Sequence, residues 1–385
     1  MRILLLEMKK IWRGRILLLV ALLCGLYSVL FMDFYVGHIS ITDHPGAETT
    51  ELAGYMLDHY GATLEPDEFD EFMRLRPQFV AEANQYIAEM PVFRDAGIYN
   101  YDDIVVLSQN LERSEAEERA YWVLGMEQCN YVGYRIQAID SIAENYTSFG
   151  TRINTMLYDE PLTASEQIRV REIVSLKEYY SVFPDIIEYT KDYFKYLAVL
   201  CVLTSLILTS PLVTLDRARK MNQLQYASAT GRGILTRQLF ATLISSLLLT
   251  LILFVIFGLL FTRAGTMKFL RCDINGFIGN SFTHIPITYG GYIGVLLVLS
   301  LVAAIASSAL AFVFSRFSDS LVTLIFKLIP FFVAVDLVSV LLVFNRPLMI
   351  GTSNALTDFG LYAILLFIGV AVAALALRRE RRVDI

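Results

Sequence analysis

Long, almost uncharged apolar runs recur along this chain and limit the folds that it can adopt. Six of them come close to or exceed the roughly 20 residues that a helix needs to cross a bilayer. They cover residues 16–36, 195–215, 238–262, 290–314, 320–344 and 359–377. Hydrophobic residues make up 55% of the chain and charged residues 18%, against about 45–50% and about 25% in soluble domains. We therefore predict an all-α integral membrane protein with six transmembrane helices.

Charged residues divide the sequence into two parts. Residues 37–193 hold 29 Asp and Glu but 11 Lys and Arg, a net charge of −18, whereas the rest of the chain has a net charge of +12. This asymmetry indicates two environments. It also excludes a nucleic-acid partner, because the basic residues form no domain of their own.

The Lys and Arg residues of the short segments predict how the spans are oriented. One set of segments holds 15 of these residues and the opposite set four. The richer set comprises Arg2, Lys9, Lys10, Arg13, Arg15, Arg217, Arg219, Lys220, Arg232, Arg237, Arg316, Arg378, Arg379, Arg381 and Arg382. Because basic short segments stay inside the cell, we predict that both termini are cytoplasmic and that residues 37–193 lie outside.

The long segment between the first two spans has helical signals. Two capping boxes, beginning at Ser114 and Thr163, precede stretches with helical spacing of apolar residues. Pro66 is placed to open a further helix, with apolar residues continuing to Ile87. We predict that residues 37–193 form an α-helical extracytoplasmic domain, whose length of about 150 residues suits a single domain.

Residues 1–15, before the first span, form a basic amphipathic stretch. Apolar side chains alternate there with basic ones, and Trp12 is a residue type enriched at membrane surfaces. We predict a short helix that lies in the membrane plane. The alternative is a positively charged anchor for the span at 16–36. Spans two to six then occupy residues 194–385.

The sequence contains no recognisable catalytic motif. It has no phosphate-binding loop, no HExxH zinc motif and no GxSxG nucleophile elbow, so we predict no catalytic residue and no cofactor bound by this chain. The four cysteines form no CxxC pair. His38 and His44 could bind a metal together, but without a third ligand a solvated loop is the better interpretation.

Two ionisable residues, Lys327 and Asp336, fall inside the fifth apolar run. Charges at membrane depth are costly and are often functional. Their spacing places them about 13 Å apart along a helix and roughly half a turn out of phase, so they cannot pair with each other. Lys327 lies near the cytoplasmic end and could extend its amine to the surface. The functional interpretation is that both line a translocation path; the alternative is a structural hydrogen bond between helices.

The segment between the second and third runs has the most specific pattern. It reads LDRARKMNQLQYASATGRG from Leu215 to Gly233 and continues ILTRQ. Before span four stands FTHIPITYGGY at 282–292, and after it SRFS at 315–318. With six spans, two cytoplasmic ends and an amphipathic entry helix, these segments resemble the type-2 permease family of ATP-binding-cassette exporters. The resemblance covers about 230 residues, everything except 37–193.

The resemblance implies a dimer of permeases, identical or different, that works with two separate ATPase subunits on which ATP and Mg²⁺ are bound. Segment 215–237 would be the cytoplasmic coupling segment, and its helix Met221–Ala229 would dock in a cleft of an ATPase. The coupling residues would be Arg217, Arg219, Met221, Gln223, Leu224, Tyr226 and Arg232. Apolar and Arg side chains are favoured at docking interfaces. The alternative is a solvated loop that only maintains topology.

The implied function is ATP-driven export of a peptide, lipid or drug-like substrate across the plasma membrane, with a bacterial origin. The chain itself would not be an enzyme, because ATP hydrolysis belongs to the partner subunit. The large segment 37–193 departs from many compact members of the family, so their substrates are not carried over. An alternative is a permease-like signalling or sensing module that relays the ATPase state to an extracytoplasmic partner, although such modules typically have four spans.

Overall fold

A computed structural model describes residues 2–40, 45–110, 112–126, 130–158, 162–176, 186–221, 231, 233–277, 282–337, 348–351 and 355–382. Most of these residues are helical. Their β structure is limited to isolated bridge residues, such as the antiparallel bridge between Asp273 and Thr288. The prediction of an all-α chain is confirmed for the described residues.

The chain divides into two compact units. The span unit comprises Met1–Val36, Thr190–Arg263 and Gly291–Ile385, and the insert unit comprises Gly37–Tyr189 and Ala264–Gly290. The insert unit therefore contains most of the segment 37–193 together with residues that the sequence places between the third and fourth apolar runs.

The α-helices are numbered in chain order. The first are α1 (Arg2–Ile11), α2 (Gly14–Tyr27) and α3 (Asp33–Ser40), with a π-helical stretch at Ser28–Met32 between α2 and α3. The insert unit contains α4 (Pro45–His59), α5 (Pro66–Phe72), α6 (Leu75–Glu89), α7 (Pro91–Asp95), α8 (Tyr101–Gln109), α9 (Glu115–Met126), α10 (Asn130–Tyr158) and α11 (Ala164–Ser175). The others are α12 (Ile187–Thr209), α13 (Pro211–Ala218), α14 (Gly233–Phe261), α15 (Tyr289–Arg316), α16 (Leu321–Val335) and α17 (Ala355–Arg382).

Five helical stretches in the described chain are long and apolar enough to cross a membrane. They are Gly14–Gly37, Ile187–Ala218, Gly233–Ala264, Tyr289–Arg316 and Phe359–Arg379. These stretches coincide with predicted runs one to four and six. The fifth run, 320–344, is helical and apolar over α16, and residues 338–347 lie outside the described part. This is the architecture of a multi-pass α-helical membrane protein.

Small side chains allow the apolar helices of the span unit to approach closely. The Ser246 hydroxyl of α14 lies 3.1 Å from the Ser205 hydroxyl of α12 and 3.3 Å from the carbonyl oxygen of Ala304 on α15. On α17, a β-carbon added at Gly369 would come within 2.9 Å of the Ala306 carbonyl oxygen. Small residues of α15, such as Ala304 and Ala306, therefore let neighbouring helices pack closely against it.

The core of the insert unit forms where α6 to α10 meet. Its buried members are Ala83, Ile87, Phe93, Ile98, Tyr101, Ile104, Leu107, Ala120, Val123 and Ile136. Both predicted capping boxes are present. The Glu117 amide donates to the Ser114 hydroxyl at 3.3 Å, and the Glu166 amide donates to the Thr163 hydroxyl at 3.4 Å.

The helix expected to run on from Pro66 is interrupted. It ends as α5 at Phe72, and α6 begins at Leu75 with Pro77 in its first turn. Because proline has no amide hydrogen, Pro77 cannot donate the next hydrogen bond of a continuous helix. The apolar pattern was therefore read correctly as helical, but the prediction of one helix was wrong.

Phe93 tests this core because its side chain is fully buried, whereas Val106 of α8 is 70% exposed. Phe93→Ala should lower the free energy of unfolding by about 3–5 kcal/mol, because contacts are lost and a cavity remains. The control Val106→Ala should change it by less than about 0.5 kcal/mol. Thermal unfolding of the full-length protein in detergent measures both variants, and equal melting temperatures would contradict the assignment.

Candidate functional site

Helix α1 is anchored to the span unit through a face that includes a carboxylate. Glu7 and Ile11 lie one turn apart on α1 and are only 3% and 1% exposed, whereas Leu6 is 60% exposed. This buried face packs against α13 and α14. A carboxylate inside such a contact requires polar partners, because an unpaired buried charge is strongly destabilising.

Four side chains form the buried polar network: Glu7, Lys10, Asp216 and Gln238. The Lys10 ammonium lies 2.8 Å from Glu7 Oε1 and 2.9 Å from Asp216 Oδ2. Gln238 Nε2 donates to Asp216 Oδ2 at 2.9 Å and to Glu7 Oε2 at 3.1 Å. One ammonium group and one amide therefore bridge two carboxylates that belong to α1 and α13.

The electrostatics of the network favour a charged Lys10. The carboxylate side chains of Glu7 and Asp216 are 5% and 6% exposed, and the Lys10 side chain is 27% exposed. Burial acts to lower the pKa of Lys10, but hydrogen bonds and charges from Asp216 and Glu7 outweigh this effect and raise that pKa above its usual value. Lys10 therefore stays protonated at neutral pH.

Trp12 adds a contact between the N-terminal region and α14. Its indole Nε1 donates to the hydroxyl of the buried Ser245 at 3.0 Å. Nearby, Val213, Ile234 and Phe312 form a small apolar core with Ile3 packed against it. The N-terminal helix is thus held by polar and apolar contacts together, while its predicted position at a membrane surface stays a prediction.

Arg217 joins α13 to the end of α15. Its Nη1 donates to the Ser318 carbonyl at 3.2 Å and lies 3.0 Å from Asp319 Oδ1. Its Nη2 donates to the Arg316 carbonyl. A guanidinium group at a helix C-terminus satisfies carbonyls that have no partner within the helix and interacts favourably with the helix dipole.

These contacts fix both ends of the segment between α13 and α14. Asp216 lies in α13, before the segment, and Gln238 lies in α14, after it. A 2.9 Å hydrogen bond between their side chains joins the two helices there. Arg217 connects α13 to the residues that follow α15, through its hydrogen bond to the Ser318 carbonyl. The end of α13 and the start of α14 are therefore joined to each other directly and, through Arg217, to the residues that follow α15.

Three of the residues predicted to contact an ATPase lie in the described part of the chain. Arg217 makes the contacts given above, and Arg219 and Met221 are exposed just beyond α13. Gln223, Leu224, Tyr226 and Arg232 lie outside the described residues. The structure thus gives Arg217 a role in helix packing, and the docking role of the whole set stays a prediction.

Lys327 and Asp336, the residues predicted to line a path, have different surroundings. The Lys327 amine donates to the Phe317 carbonyl at 2.7 Å, so its side chain reaches the turn between α15 and α16. Asp336 directly follows α16. Its Oδ1 atom is buried and accepts no hydrogen bond from the described residues.

The described residues contain no group of three or more His, Cys, Asp or Glu side chains that could hold a metal ion. The proposed pair His38 and His44 is not part of that result, because His44 lies outside the described residues and the side chain of His38 is not described. Cys272 is a free thiol, and Cys129 also lies outside.

The comparisons with known proteins do not identify this chain. No protein-family model matches it, and neither does a curated protein or a solved structure. The resemblance to exporter permeases therefore stays an expectation drawn from the sequence.

Glu7, Asp216 and Gln238 were not expected to form a site. A usable signal was present, because Glu7 is the acid in an otherwise basic helix and the other two residues lie at the edges of apolar runs. Their pairing could not be read from the sequence, since Lys10 and Asp216 are 206 positions apart.

Lys10→Met should destabilise the span unit because it leaves two buried carboxylates without their ammonium partner. Fully buried pairs lose about 3–5 kcal/mol on such a change. We expect about 2 kcal/mol because Lys10 keeps 27% of its side chain exposed. Lys9→Met removes the same charge from an exposed position of α1 and is the matched control. Thermal unfolding of both variants in detergent is the measurement, and a Lys10 variant as stable as the Lys9 variant would be inconsistent with the network.

The raised pKa of Lys10 also predicts the pH dependence of this stabilisation. It is complete below the unfolded value of about 10.4 and is lost as pH rises through the higher folded value. The difference in melting temperature between wild type and Lys10→Met should therefore hold from about pH 7 to about pH 10 and shrink at higher pH. A decline that is already complete at neutral pH would contradict the assignment.

Proposed function

We propose that this chain is the permease subunit of an ATP-binding-cassette exporter in the plasma membrane. It would cross the membrane six times, with both termini in the cytoplasm and residues 37–193 outside. Two permease chains, identical or different, would work with separate ATPase subunits that bind ATP and Mg²⁺. The cargo would be a peptide, a lipid or a drug-like molecule.

The observation that supports this proposal best is that the helices at the two ends of segment 215–237 are joined to each other and to their neighbours by side-chain contacts. A docking segment transmits force only if its ends are firmly attached to the helices that must move. Here Asp216 and Gln238 are joined directly, Lys10 and Glu7 brace them from α1, and Arg217 connects them to the end of α15.

The mechanism follows from this attachment. Closure of the ATPase subunits on ATP would displace the docked segment, and the network would pass the displacement to α13 and α14. Binding can shift a conformational equilibrium only through its different affinities for the two states. The two states here would differ in the tilt or separation of the helices that the segment joins.

Six crossings, the orientation and the external position of residues 37–193 are parts of the proposal. The five long apolar stretches support it, and α16 supplies part of a sixth crossing within the run 320–344. The concentration of 15 Lys and Arg residues on one side supports cytoplasmic termini.

A docking test changes the two apolar residues of the predicted coupling helix, Leu224 and Tyr226. Leu224→Asp or Tyr226→Asp should reduce co-purification of the ATPase subunits by about tenfold or more, because each change places a charge in an apolar docking contact. Tyr99→Asp is the control, because Tyr99 is 69% exposed and belongs to the insert unit. The measurement is a pull-down of native complexes from membranes, with ATPase activity of the captured complex as a second readout.

Intact ATPase association in both variants would overturn the docking assignment. A cysteine placed at position 224 and labelled by a membrane-impermeant reagent from outside intact cells would overturn the orientation. Cargo-stimulated ATP hydrolysis with accumulation in vesicles is expected of an exporter. Hydrolysis that changes an external partner without moving cargo would instead indicate the sensing module.

A further inference from the structure

An apolar groove with a volume of about 470 Å³ lies between α2, α12, α13 and α16. All of its lining residues belong to the span unit. Among them Ser210 is the one with a polar side chain, and the others are Leu, Ile, Pro and Phe. Ligand sites usually have volumes of about 300–1,000 Å³ and mostly apolar walls. The groove is therefore large enough to hold a ligand.

The groove has a buried floor and an exposed rim. Its floor includes Leu206 of α12 and Leu324 of α16, which are almost fully buried. Its rim includes Leu19 of α2 and Ile325 and Ile329 of α16, each of which is more than half exposed. Water disfavours such exposed apolar side chains, whereas the hydrocarbon of a bilayer does not. The opening therefore suits a ligand that enters sideways from the membrane.

The groove has the length of one leaflet of a bilayer. On α16 it extends from Leu321 to Phe332. On the stretch formed by α12 and α13 it extends from Leu215 back to Leu203. At 1.5 Å per residue these lengths are about 17 Å and about 18 Å. The hydrocarbon core of a bilayer is about 30 Å thick, so one leaflet contributes about 15 Å.

One end of the groove lies where three helices begin or end. Ile16 belongs to the first turn of α2, Leu215 belongs to the last turn of α13, and Leu321 is the first residue of α16. This is therefore the end of the groove at the membrane surface. Arg15, which is bonded to Ile16, is exposed there. An arginine is well suited to bind a phosphate group.

The width of the groove distinguishes among apolar ligands. A volume of about 470 Å³ spread over about 17 Å of length gives a cross-section about 6 Å wide. A helix with its side chains is about 10–12 Å wide, so a helix of a second copy of this chain does not fit. A polymethylene chain is one carbon atom wide, and carbon atoms make contact at about 3.5–4.0 Å. The groove therefore fits a single hydrocarbon chain.

We propose that this groove binds one acyl chain of a phospholipid from the leaflet next to Ile16, Leu215 and Leu321, with the phosphate at the surface near Arg15. A cavity of about 150 Å³ holds one benzene molecule, so the groove holds about 18 carbon atoms. That is the size of an ordinary acyl chain. The chain gains little from the hydrophobic effect, because it comes from hydrocarbon. It binds because an unfilled groove would lose the van der Waals contacts of its walls.

Binding of the chain does not depend on the proposed function. The further step, that the bound phospholipid is the transported cargo, rests on the proposed function and would select the lipid among the three classes of cargo given above. Occupancy of the groove can be measured on the full-length chain without any ATPase subunit. The two proposals therefore fail separately.

Photochemical labelling measures the occupancy. The full-length protein is placed in phosphatidylcholine nanodiscs that include a phosphatidylcholine with a diazirine in one acyl chain, and mass spectrometry locates the labelled residues after irradiation. Lipids around the protein reach exposed side chains such as Phe326, which does not line the groove. Only a chain inside the groove reaches the floor. We expect label at both Leu206 and Leu324 in the wild type.

A tryptophan at the rim should displace the chain. Ile329→Trp should lower labelling of the floor by about fivefold or more, because a Trp side chain covers about 150–250 Å² of apolar surface. Val333→Trp is the matched control, since Val333 lies one turn further along α16, is about equally exposed and does not line the groove. It should leave labelling of the floor unchanged. Thermal unfolding in nanodiscs checks that both variants fold.

The position of the diazirine supplies a comparison that needs no variant. Leu324 lies three residues from Leu321, whereas Leu206 lies nine residues from Leu215, so Leu206 is deeper in the groove by about 9 Å. A diazirine at the end of the acyl chain should label Leu206 more than Leu324. A diazirine beside the ester group should label Leu324 more than Leu206.

Three results would each overturn the proposal. They are a floor without label in the wild type, equal labelling of the floor in Ile329→Trp and Val333→Trp, and the same preference between Leu206 and Leu324 with both probes. A second copy of the chain seated over the groove would give the first of these results. Failure of ATPase docking with the floor labelled would overturn only the proposed function.

Discussion

Two carboxylates buried beside one ammonium group determine how the N-terminal helix, α13 and α14 are arranged. Removing Glu7 and Asp216 from water is costly, and the cost is offset only if Lys10 and Gln238 reach both of them at hydrogen-bond distance. Few relative positions of the three helices meet this requirement. A buried ionic contact adds little net stability compared with an apolar one. We infer that this network instead specifies how the helices fit together, which would suit the transmission of a displacement that we propose.

Two regions of the span unit differ in how their polar groups are paired. At the junction of α13 and α15, polar groups find defined partners: the Thr214 amide donates to the Ser315 hydroxyl at 3.1 Å, and Arg217 binds carbonyls at the end of α15. Around Asp336 the backbone is π-helical and a carboxylate oxygen has no partner among the described residues. Polar groups with defined partners therefore specify how the helices meet in the first region.

Local signals predicted much of the helical framework, because they act over a few residues. The capping boxes at Ser114 and Thr163 form, and five of the six apolar runs coincide with helices long enough to cross a membrane. The helix after Pro66 was extended too far, because an apolar pattern does not register the missing amide of Pro77. The presence of Ala264–Gly290 in the insert unit was equally inaccessible, since it depends on contacts between distant segments.

Hydropathy, capping and charge are properties of neighbouring residues, so they predict without coordinates that this chain is helical, that it has long membrane-compatible stretches and that its charges are strongly segregated. The pairing of polar residues, in contrast, follows from the packing of the helices. Lys10 and Asp216 are 206 positions apart, and the rings of Tyr27 and Tyr196, which lie on two different helices, have centroids 6.4 Å apart. Such contacts depend on how helices pack side by side, and many packings share the same hydropathy pattern.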